Sequence, residues 1–255
     1  MEAITFLGVG TGNIFLREQL LSSGGIILKL KDLQFHIDPG TNSLLRLYRS
    51  GINPRETTSV FCSHAHLNHY NDVNAVIDAM TLSGLDKKGI LVLNKDIIEK
   101  INESYLSYLE KFIGMESGKK IAIEDIEVTA LKAEHSSSNI GFKFITPEFI
   151  LSYSSDTKYF EELADGYEDS DILILNNKNP FNVNDNNNLN SDDSIKIINE
   201  VKPKLAIITH FGIKMIREDT LYQAREICKK TRIQVIAAKD GMIVNPYSFS
   251  TTIKT

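Results

Sequence analysis

The sequence lacks the features that would place it in a membrane or hold it together by cross-links. It has two cysteines, Cys62 and Cys228, far apart in the chain. Such a pair makes no disulfide framework, so the reducing cytoplasm is the expected location. The most apolar stretches, 26–30 and 205–208, have the length of strands and fall far below the ~18 apolar residues of a membrane-spanning helix. We also expect no secretion signal, because Glu2 and the early glycines interrupt any apolar run.

The chain also lacks the excess of positive charge that holds long nucleic acids. Its 28 Lys and Arg residues against 33 Asp and Glu residues give a net charge of −5. Because binding a phosphate backbone requires many cations on one face, we expect no extended nucleic-acid surface. Its 255 residues, 42% of them hydrophobic, suffice for one full hydrophobic core. We therefore expect a single domain over residues 1–255.

The hydrophobic periodicity predicts a layered α/β fold. Strands are predicted at 4–9, 25–30, 33–37, 58–62, 90–93, 121–123, 126–132, 140–145, 149–153, 171–175, 205–209, 234–237 and 242–244. Helices are predicted around 44–48 and over 72–80, 96–113, 158–163, 192–201 and 220–230. Hairpins followed by alternating helices and strands indicate sheets covered by helices. The segment 176–190 contains nine asparagines and is predicted to be a surface loop.

Three of the six histidines lie within six residues, directly after a predicted buried strand. They are His64, His66 and His69. Two histidines two residues apart on an extended segment can point toward one centre, and a third at a helix start can reach a neighbouring point. Neutral imidazole is the commonest protein ligand for zinc and similar metals. This spacing therefore predicts a metal site.

Three further metal-ligating side chains directly follow predicted strands elsewhere in the chain. They are His135, Asp156 and His210. Binding sites of layered α/β folds normally lie outside the ends of their strands. We therefore expect these residues to join the three clustered histidines in one centre.

The order of these residues resembles that of the metallo-β-lactamase superfamily. The opening segment 6–12, FLGVGTG, and the segment 36–40, HIDPG, are most similar to its ribonuclease Z-like and phosphodiesterase-like branch. The resemblance extends over residues 3 to 245. It implies a four-layer αββα sandwich in one domain, with a site for two metal ions at one edge of the sheets.

The resemblance also implies a ligand set and a cofactor. The first metal would be held by His64, His66 and His135, the second by His69 and His210, and Asp156 would bridge the two. Two divalent ions are expected, zinc first, with manganese or iron as alternatives. Asp38 is expected outside the ligand set, holding one imidazole N–H and so fixing which ring nitrogen faces the metal. His36 is expected to be structural.

Two positions depart from the pattern of this branch. Position 68 is Asn, whereas the family has an Asp that helps to hold the second metal and is proposed to orient or deprotonate the attacking water. An amide cannot act as a general base, so we expect a weakened second metal site. The resemblance also implies a histidine that protonates the leaving oxygen, in the loop before the penultimate helix, and the matching segment 188–192 here begins with Asn188 and contains no histidine.

The predicted function is metal-dependent hydrolysis of a phosphodiester, with Asn68, Asp156 and His210 at the catalytic positions. The expected partner is a small phosphorylated substrate, a short RNA or a nucleotide, and a homodimer is an alternative to a monomer. Two other functions stay open. One is a catalytically degenerate metal-binding protein of the same fold, and the other is a hydrolase of a lactam or a non-phosphate ester.

Overall fold

The chain divides into two units, each with a sheet of its own. In the computed structural model, which describes residues 2–12 and 20–250, unit 1 comprises Met1–Met115 with Lys239–Asn245, and unit 2 comprises Glu116–Ala238 with Pro246–Thr255. Each unit is built on one seven-stranded sheet. No helix within the described residues combines the length and the apolar character needed to cross a membrane. The single domain over 1–255 stays a prediction.

Unit 1 combines a mixed sheet with short helices. Its strands are β1 Ala3–Phe6, β2 Ile26–Leu30, β3 Leu33–Ile37, β4 Ser59–Cys62, β5 Ile90–Asn94, β6 Lys111–Met115 and β14 Ile243–Val244. Its helices are α1 Ser43–Arg49, α2 Leu67–Tyr70, α3 Val73–Thr81 and α4 Glu103–Ser107, with 3₁₀ turns at Pro54–Glu56 and Lys95–Lys100. The strand order is β14-β1-β2-β3-β4-β5-β6. Pairing is antiparallel from β14 to β3 and parallel from β3 to β6, so β1, β3 and β4 all end at the same edge.

Helix α3 shows why the sheet of unit 1 is covered. Val73, Val76, Ile77 and Met80 recur at helical spacing, and all four are fully buried in one hydrophobic cluster with side chains of β4 and β5. Burial of each such side chain contributes roughly 1.5–3 kcal/mol. The helix therefore anchors the segment that precedes it, which contains the clustered histidines.

The predicted helix over 96–113 is wrong. Asn94 and Asn102 each start a new short helix by accepting a backbone N–H two residues further on. The end of the segment instead forms β6, which pairs parallel with β5 along its whole length. The apolar side chains that suggested one long helix pack on the cluster under α3, except for Phe112, which is exposed. Sheet hydrogen bonding and the two asparagine caps outweigh the local periodicity.

Unit 2 also has a mixed sheet. Its strands are β7 Lys120–Ile123, β8 Ile126–Lys132, β9 Ile140–Ile145, β10 Ile150–Tyr153, β11 Ile172–Asn176, β12 Leu205–Thr209 and β13 Gln234–Ala237. Its helices are α5 Ser191–Val201, α6 Ile213–Arg217 and α7 Thr220–Thr231, with 3₁₀ turns at Ala164–Tyr167 and Pro246–Phe249. The order is β13-β12-β11-β10-β9-β8-β7, antiparallel from β7 to β10 and parallel from β10 to β13. Strands β8, β10, β11 and β12 therefore end at one edge.

The predicted helix over 158–163 is also wrong. The backbone there is irregular, and a 3₁₀ turn forms only at Ala164–Tyr167. The segment is instead tied to the loop after β8, since the Lys158 backbone N–H donates to the Glu134 carbonyl at 2.8 Å and the Glu134 N–H donates to Thr157 Oγ1 at 3.0 Å. These bonds hold the loop after β10 beside the loop after β8.

Candidate metal centre

In unit 1 the clustered histidines lie where β4 ends, next to the end of β3. Asp38 follows β3 directly and adopts a left-handed backbone conformation, with φ of 50°. Ser63 and His64 follow β4, and His69 lies within α2. Because β3 and β4 are parallel neighbours, the side chains that follow them meet at one edge of the sheet.

The carboxylate of Asp38 organises this edge. It is 2% exposed, and its Oδ1 accepts the Ser63 N–H at 2.7 Å. Its Oδ2 accepts the Ser63 hydroxyl and His69 Nδ1, each at 2.8 Å. Since a carboxylate only accepts hydrogen bonds, His69 carries its proton on Nδ1 and keeps the lone pair on Nε2. The prediction that Asp38 holds an imidazole N–H is confirmed.

Asp38 acts on His64 through the hydroxyl of Ser63. That hydroxyl donates to Asp38, so it accepts from His64 Nδ1, which lies 3.0 Å away. His64 therefore also keeps its lone pair on Nε2, and this atom lies 2.9 Å from Nδ1 of His66. Two nitrogens on one tetrahedral zinc ion, each at about 2.0–2.1 Å, are about 3.3 Å apart. The nitrogens of His64 and His66 therefore lie close to the separation of two ligands on one metal ion.

Asn68 connects α2 to the glycine-rich turn after β1. Its Nδ2 donates to Thr11 Oγ1 at 3.1 Å. The same part of the chain requires a glycine at position 40, because a Cβ there would lie 2.1 Å from the carbonyl oxygens of Asn68 and Ser23. Asn68 is therefore fixed through both its side chain and its backbone, and the bond to Thr11 uses the amide as a donor.

In unit 2 the predicted ligands lie where four strands end at the same edge. His135 follows β8, Asp156 follows β10 and His210 follows β12, while Asn176 is the last residue of β11. His210 has φ of 65°, and Ser155, before Asp156, has φ of 53°. These left-handed conformations turn the chain sharply at the strand ends and leave the functional side chains at the edge.

Asp156 is the centre of the unit 2 cluster. Its Oδ1 lies 2.9 Å from Nε2 of His210, and its Oδ2 lies 3.7 Å from Nε2 of His135. Asn176 Nδ2 donates to Oδ1 at 2.8 Å, and the amide of Asn139 donates to the Asp156 backbone carbonyl. All three predicted ligands of unit 2 are thus brought together around a buried carboxylate.

The backbone of the asparagine-rich segment orients His135. His135 Nδ1 donates to the carbonyl oxygen of Asn187 at 2.7 Å. A carbonyl only accepts, so the lone pair of this histidine lies on Nε2, the atom that faces Asp156. A hydrogen bond of this kind fixes the tautomer of a metal-binding histidine in many proteins.

The asparagine-rich segment is not the surface loop that its composition predicts. Both of its ends are buried, and only Asn182, Asn184 and Asn186 are exposed. Its centre is Asp185, whose carboxylate accepts the Asn187 N–H at 2.9 Å and the amides of Asn179 and Asn188 at 3.0 Å. Partial burial alone would raise the pKa of Asp185, but these hydrogen bonds and nearby Lys178 lower it. Asn188, where the branch has a proton-donating histidine, is buried against this carboxylate.

His36 is structural, as expected. It is fully buried, and its Nε2 donates to the Gly24 carbonyl at 2.9 Å. Burial lowers the pKa of this histidine to about 4, so the ring is neutral at pH 7. It takes no part in the candidate centre.

Sequence reasoning missed three groups that support the ligands. They are the hydroxyl of Ser63, the amide of Asn176 and the carbonyl of Asn187. Asn176 had a signal, since it ends a strand at the same edge as the ligands. No sequence signal could have identified the carbonyl of Asn187, because every residue has a backbone carbonyl whatever its side chain.

The sequence is similar to known proteins over most of its length. A family model described as "Beta-lactamase superfamily domain" matches residues 34–211. Uncharacterized protein MJ1374 of Methanocaldococcus jannaschii is 30% identical over 251 residues, which cover 94% of each chain. The ribonuclease Z of Methanosarcina mazei is 24% identical over 152 residues, which cover 57% of this chain and about half, 48%, of that protein.

A solved structure agrees with these sequence matches. The metallo-beta-lactamase fold protein YhfI from Bacillus subtilis has a TM-score of 0.81 at 16% identity, covering 95% of this chain and 98% of that one. The predicted fold class, an α/β sandwich of the metallo-β-lactamase type, is confirmed. From the family match, the histidine pattern and the fold together, the chain belongs to the β-lactamase superfamily and is similar to the ribonuclease Z-like branch of its metallo-β-lactamase-fold members.

Proposed function

We propose that the chain is a metal-dependent phosphodiesterase in which units 1 and 2 form one metallo-β-lactamase-like domain. The observation that carries the proposal is the protonation pattern of the histidines. For His64 and His69 in unit 1 and His135 in unit 2, hydrogen bonds from Nδ1 leave Nε2 with the free lone pair that a metal needs. A purely structural histidine does not need this orientation, whereas a metal ligand does.

The proposed ligand set is the one that the resemblance implies. His64, His66 and His135 would hold the first metal and His69 and His210 the second, and Asp156 would supply a carboxylate to both. Two divalent ions, zinc first and manganese or iron as alternatives, would lower the pKa of water toward ~7 and stabilise the charge that develops on a phosphoryl group. The second site is the weaker, because position 68 supplies an amide where the family has a carboxylate.

The residues of the chain supply orientation and charge. Asp38 and Ser63 hold two imidazoles, and Asp156 provides the one anionic side chain of the proposed ligand set. Asn68 belongs to the proposed catalytic positions with Asp156 and His210. Its amide offers hydrogen bonds and accepts no proton, so it orients rather than acts as a base.

The proposed substrate is a small phosphorylated molecule, a nucleotide or a short RNA. The similarity to a ribonuclease Z supports a phosphodiester, and the net charge of −5 speaks against a long RNA. An open cleft of about 530 Å³ beside His135, lined by Ser136, Ser138 and Lys158 among others, offers hydroxyls for such a ligand, while the cation of Lys158 is paired with Glu134 at 3.0 Å. We also propose a cytoplasmic location.

A second candidate function is metal binding with little or no turnover. The observation that favours it is the chemistry of two side chains, Asn68 and Asn188. Both are amides at positions where the ribonuclease Z-like branch carries groups that transfer protons, and both donate hydrogen bonds to neighbours of their own unit.

Purified protein with added Zn²⁺ or Mn²⁺ and bis(p-nitrophenyl) phosphate separates the two functions. We expect p-nitrophenolate release that depends on the metal and is lost in His210→Ala, while Lys87→Ala, an exposed change in unit 1, keeps it. Metal bound without release would favour the second candidate. A chain that binds no metal at all would contradict both.

A further inference from the structure

We propose that Asp185 is a positioning residue that holds the carbonyl of Asn187 on His135 and thereby fixes the tautomer of that histidine. The inference rests on the proposed role of His135 as a metal ligand. It assigns a task to the asparagine-rich segment, which composition alone predicts to be a loose surface loop. Asp185 itself touches no metal and no substrate.

The geometry forms a short chain of hydrogen bonds within unit 2. The Asn187 N–H donates to Asp185 Oδ1 at 2.9 Å, and the Asn187 carbonyl accepts from His135 Nδ1 at 2.7 Å. Asp185 therefore holds the backbone N–H of Asn187, and the backbone carbonyl of Asn187 holds His135. Displacement of Asn187 by about 1 Å would stretch the second bond beyond the usual limit of about 3.2 Å.

The second carboxylate oxygen of Asp185 holds further residues of the asparagine-rich segment in place. Its Oδ2 accepts the side-chain amides of Asn179 and Asn188, each at 3.0 Å, and Lys178 Nζ lies 3.9 Å away. Asn179 also forms a bridge to Asn190, the residue that caps α5. The carboxylate thus ties both ends of the segment to the residue between them that carries the functional carbonyl.

Asp192, in the first turn of α5, provides a matched control that also contacts the asparagine-rich segment. Its Oδ2 accepts the Asn182 N–H at 2.8 Å, so it also holds the segment by a carboxylate and carries the same charge. None of the hydrogen bonds found for Asp192 within the described residues involves Asn187 or His135. Asp185→Ala and Asp192→Ala therefore remove equal charge and differ in whether the histidine loses its support.

The test is the ¹⁵N spectrum of the His135 ring in the full-length chain with no metal added. In the unaltered chain and in Asp192→Ala we expect one tautomer, protonated on Nδ1. In Asp185→Ala we expect the two ring nitrogen shifts to move toward each other as both tautomers become populated. Where circular dichroism shows that Asp185→Ala does not fold, Asp185→Asn is measured instead. Two side-chain amides donate to the Oδ2 position and one N–H to the Oδ1 position, so we expect the amide oxygen at Oδ2 and its NH₂ group against the Asn187 N–H.

Zinc titration gives a second readout. Loss of a hydrogen bond that orients a ligand typically weakens metal binding about ten- to a hundred-fold, and we expect that loss for Asp185→Ala but not for Asp192→Ala. In a His135→Ala background the Asp185 change should have no further effect, because the residue through which it acts is gone.

One unchanged tautomer in the folded Asp185 variant, or an equal change in Asp192→Ala, would overturn the inference. So would a loss of zinc affinity that persists in the His135→Ala background. Failure of the unaltered chain to bind zinc would contradict the proposed function and not this inference, because the ring resonances decide it without metal.

Discussion

The two units support their candidate ligands by different means. In unit 1, three histidines come from one stretch of six residues, and a single buried carboxylate, Asp38, orients two of them. In unit 2, each of the three ligands follows a different strand, and neutral groups hold two of them: the amide of Asn176 holds Asp156 and the carbonyl of Asn187 holds His135.

The two kinds of support also differ in how strongly they affect a ligand. A carboxylate behind an imidazole raises its basicity as a ligand, whereas a carbonyl or an amide fixes orientation with a smaller electrostatic effect. Unit 1 therefore concentrates its control in one residue. Unit 2 distributes control over several loops, and its one anionic ligand is Asp156.

Removing Asp156 is expected to have the largest effect. Asp156→Ala deletes the carboxylate at the centre of the unit 2 cluster, so adjacent cations would lose their anionic bridge. We expect most of the metal to be lost, measured by elemental analysis after gel filtration. Asp165→Ala, an exposed change in the same unit, should keep it. Full metal content in the Asp156 variant would show that control in unit 2 does not centre on this residue.

Placing a carboxylate at position 68 in unit 1 is expected to raise the hydrolytic activity. Asn68→Asp adds an anion and a proton acceptor, and a positioned base is worth about 10²–10⁴-fold. Thr11 can keep the contact, because its hydroxyl can donate to the new carboxylate instead of accepting from the amide. We expect a higher kcat/KM on bis(p-nitrophenyl) phosphate at saturating metal. Asn71→Asp, an exposed change nearby, serves as the charge control. An unchanged or lower value would contradict the prediction.

The comparison is tested most directly by removing one support from each unit. Asp38→Asn keeps the backbone, since Asn tolerates a φ of 50°, but weakens the hold on His69 and Ser63. We expect about ten- to a hundred-fold weaker zinc binding. Asn176→Ala should cost less, because the Asn139 amide still holds the backbone of Asp156. Titration calorimetry on both variants measures the difference, and equal losses would remove the distinction between the units.

Acid should destabilise unit 1 through His36, with a smaller effect. Burial lowers the pKa of this histidine to about 4 from 6.5, so the unfolded chain takes up the proton first as the pH falls. The contribution of His36 to the free energy of unfolding is therefore constant above about pH 6.5. It declines toward pH 4, by about 3 kcal/mol in all. Urea unfolding at a series of pH values measures the slope, and His36→Gln should flatten it. A slope unaffected by that change would assign the acid sensitivity to other groups.

The sequence predicted more of the support for the ligands in unit 1 than in unit 2, although it missed the Ser63 hydroxyl in unit 1. The spacing of His64, His66 and His69 is local, and Asp38 follows a strand whose parallel partner carries the histidines. His135, Asp156 and His210 were found from their places after strands. Their supports were not, because the amide of Asn176 and the carbonyl of Asn187 act only once distant segments meet.

The two wrong helix predictions have the same cause. The segment 96–113 has a helical distribution of apolar side chains, but Asn94 and Asn102 divide it and β5 recruits its end into the sheet. The segment 158–163 is held by Glu134 from another loop. In both, contacts remote in sequence decide a structure that local periodicity describes incorrectly.

The left-handed residues at the strand ends set limits on engineering. Asp38, Ser155 and His210 have φ values between 50° and 65°, where a residue other than glycine is less stable by roughly 1–2 kcal/mol. A directed-evolution campaign that selects only for thermal tolerance would therefore favour glycine at such a position wherever the relief of backbone strain exceeds the loss of the side chain's hydrogen bonds. Each such gain at Asp38 or His210 would erase a functional side chain. Selection for a more heat-resistant catalyst must therefore exclude these codons from its libraries and seek its gains elsewhere.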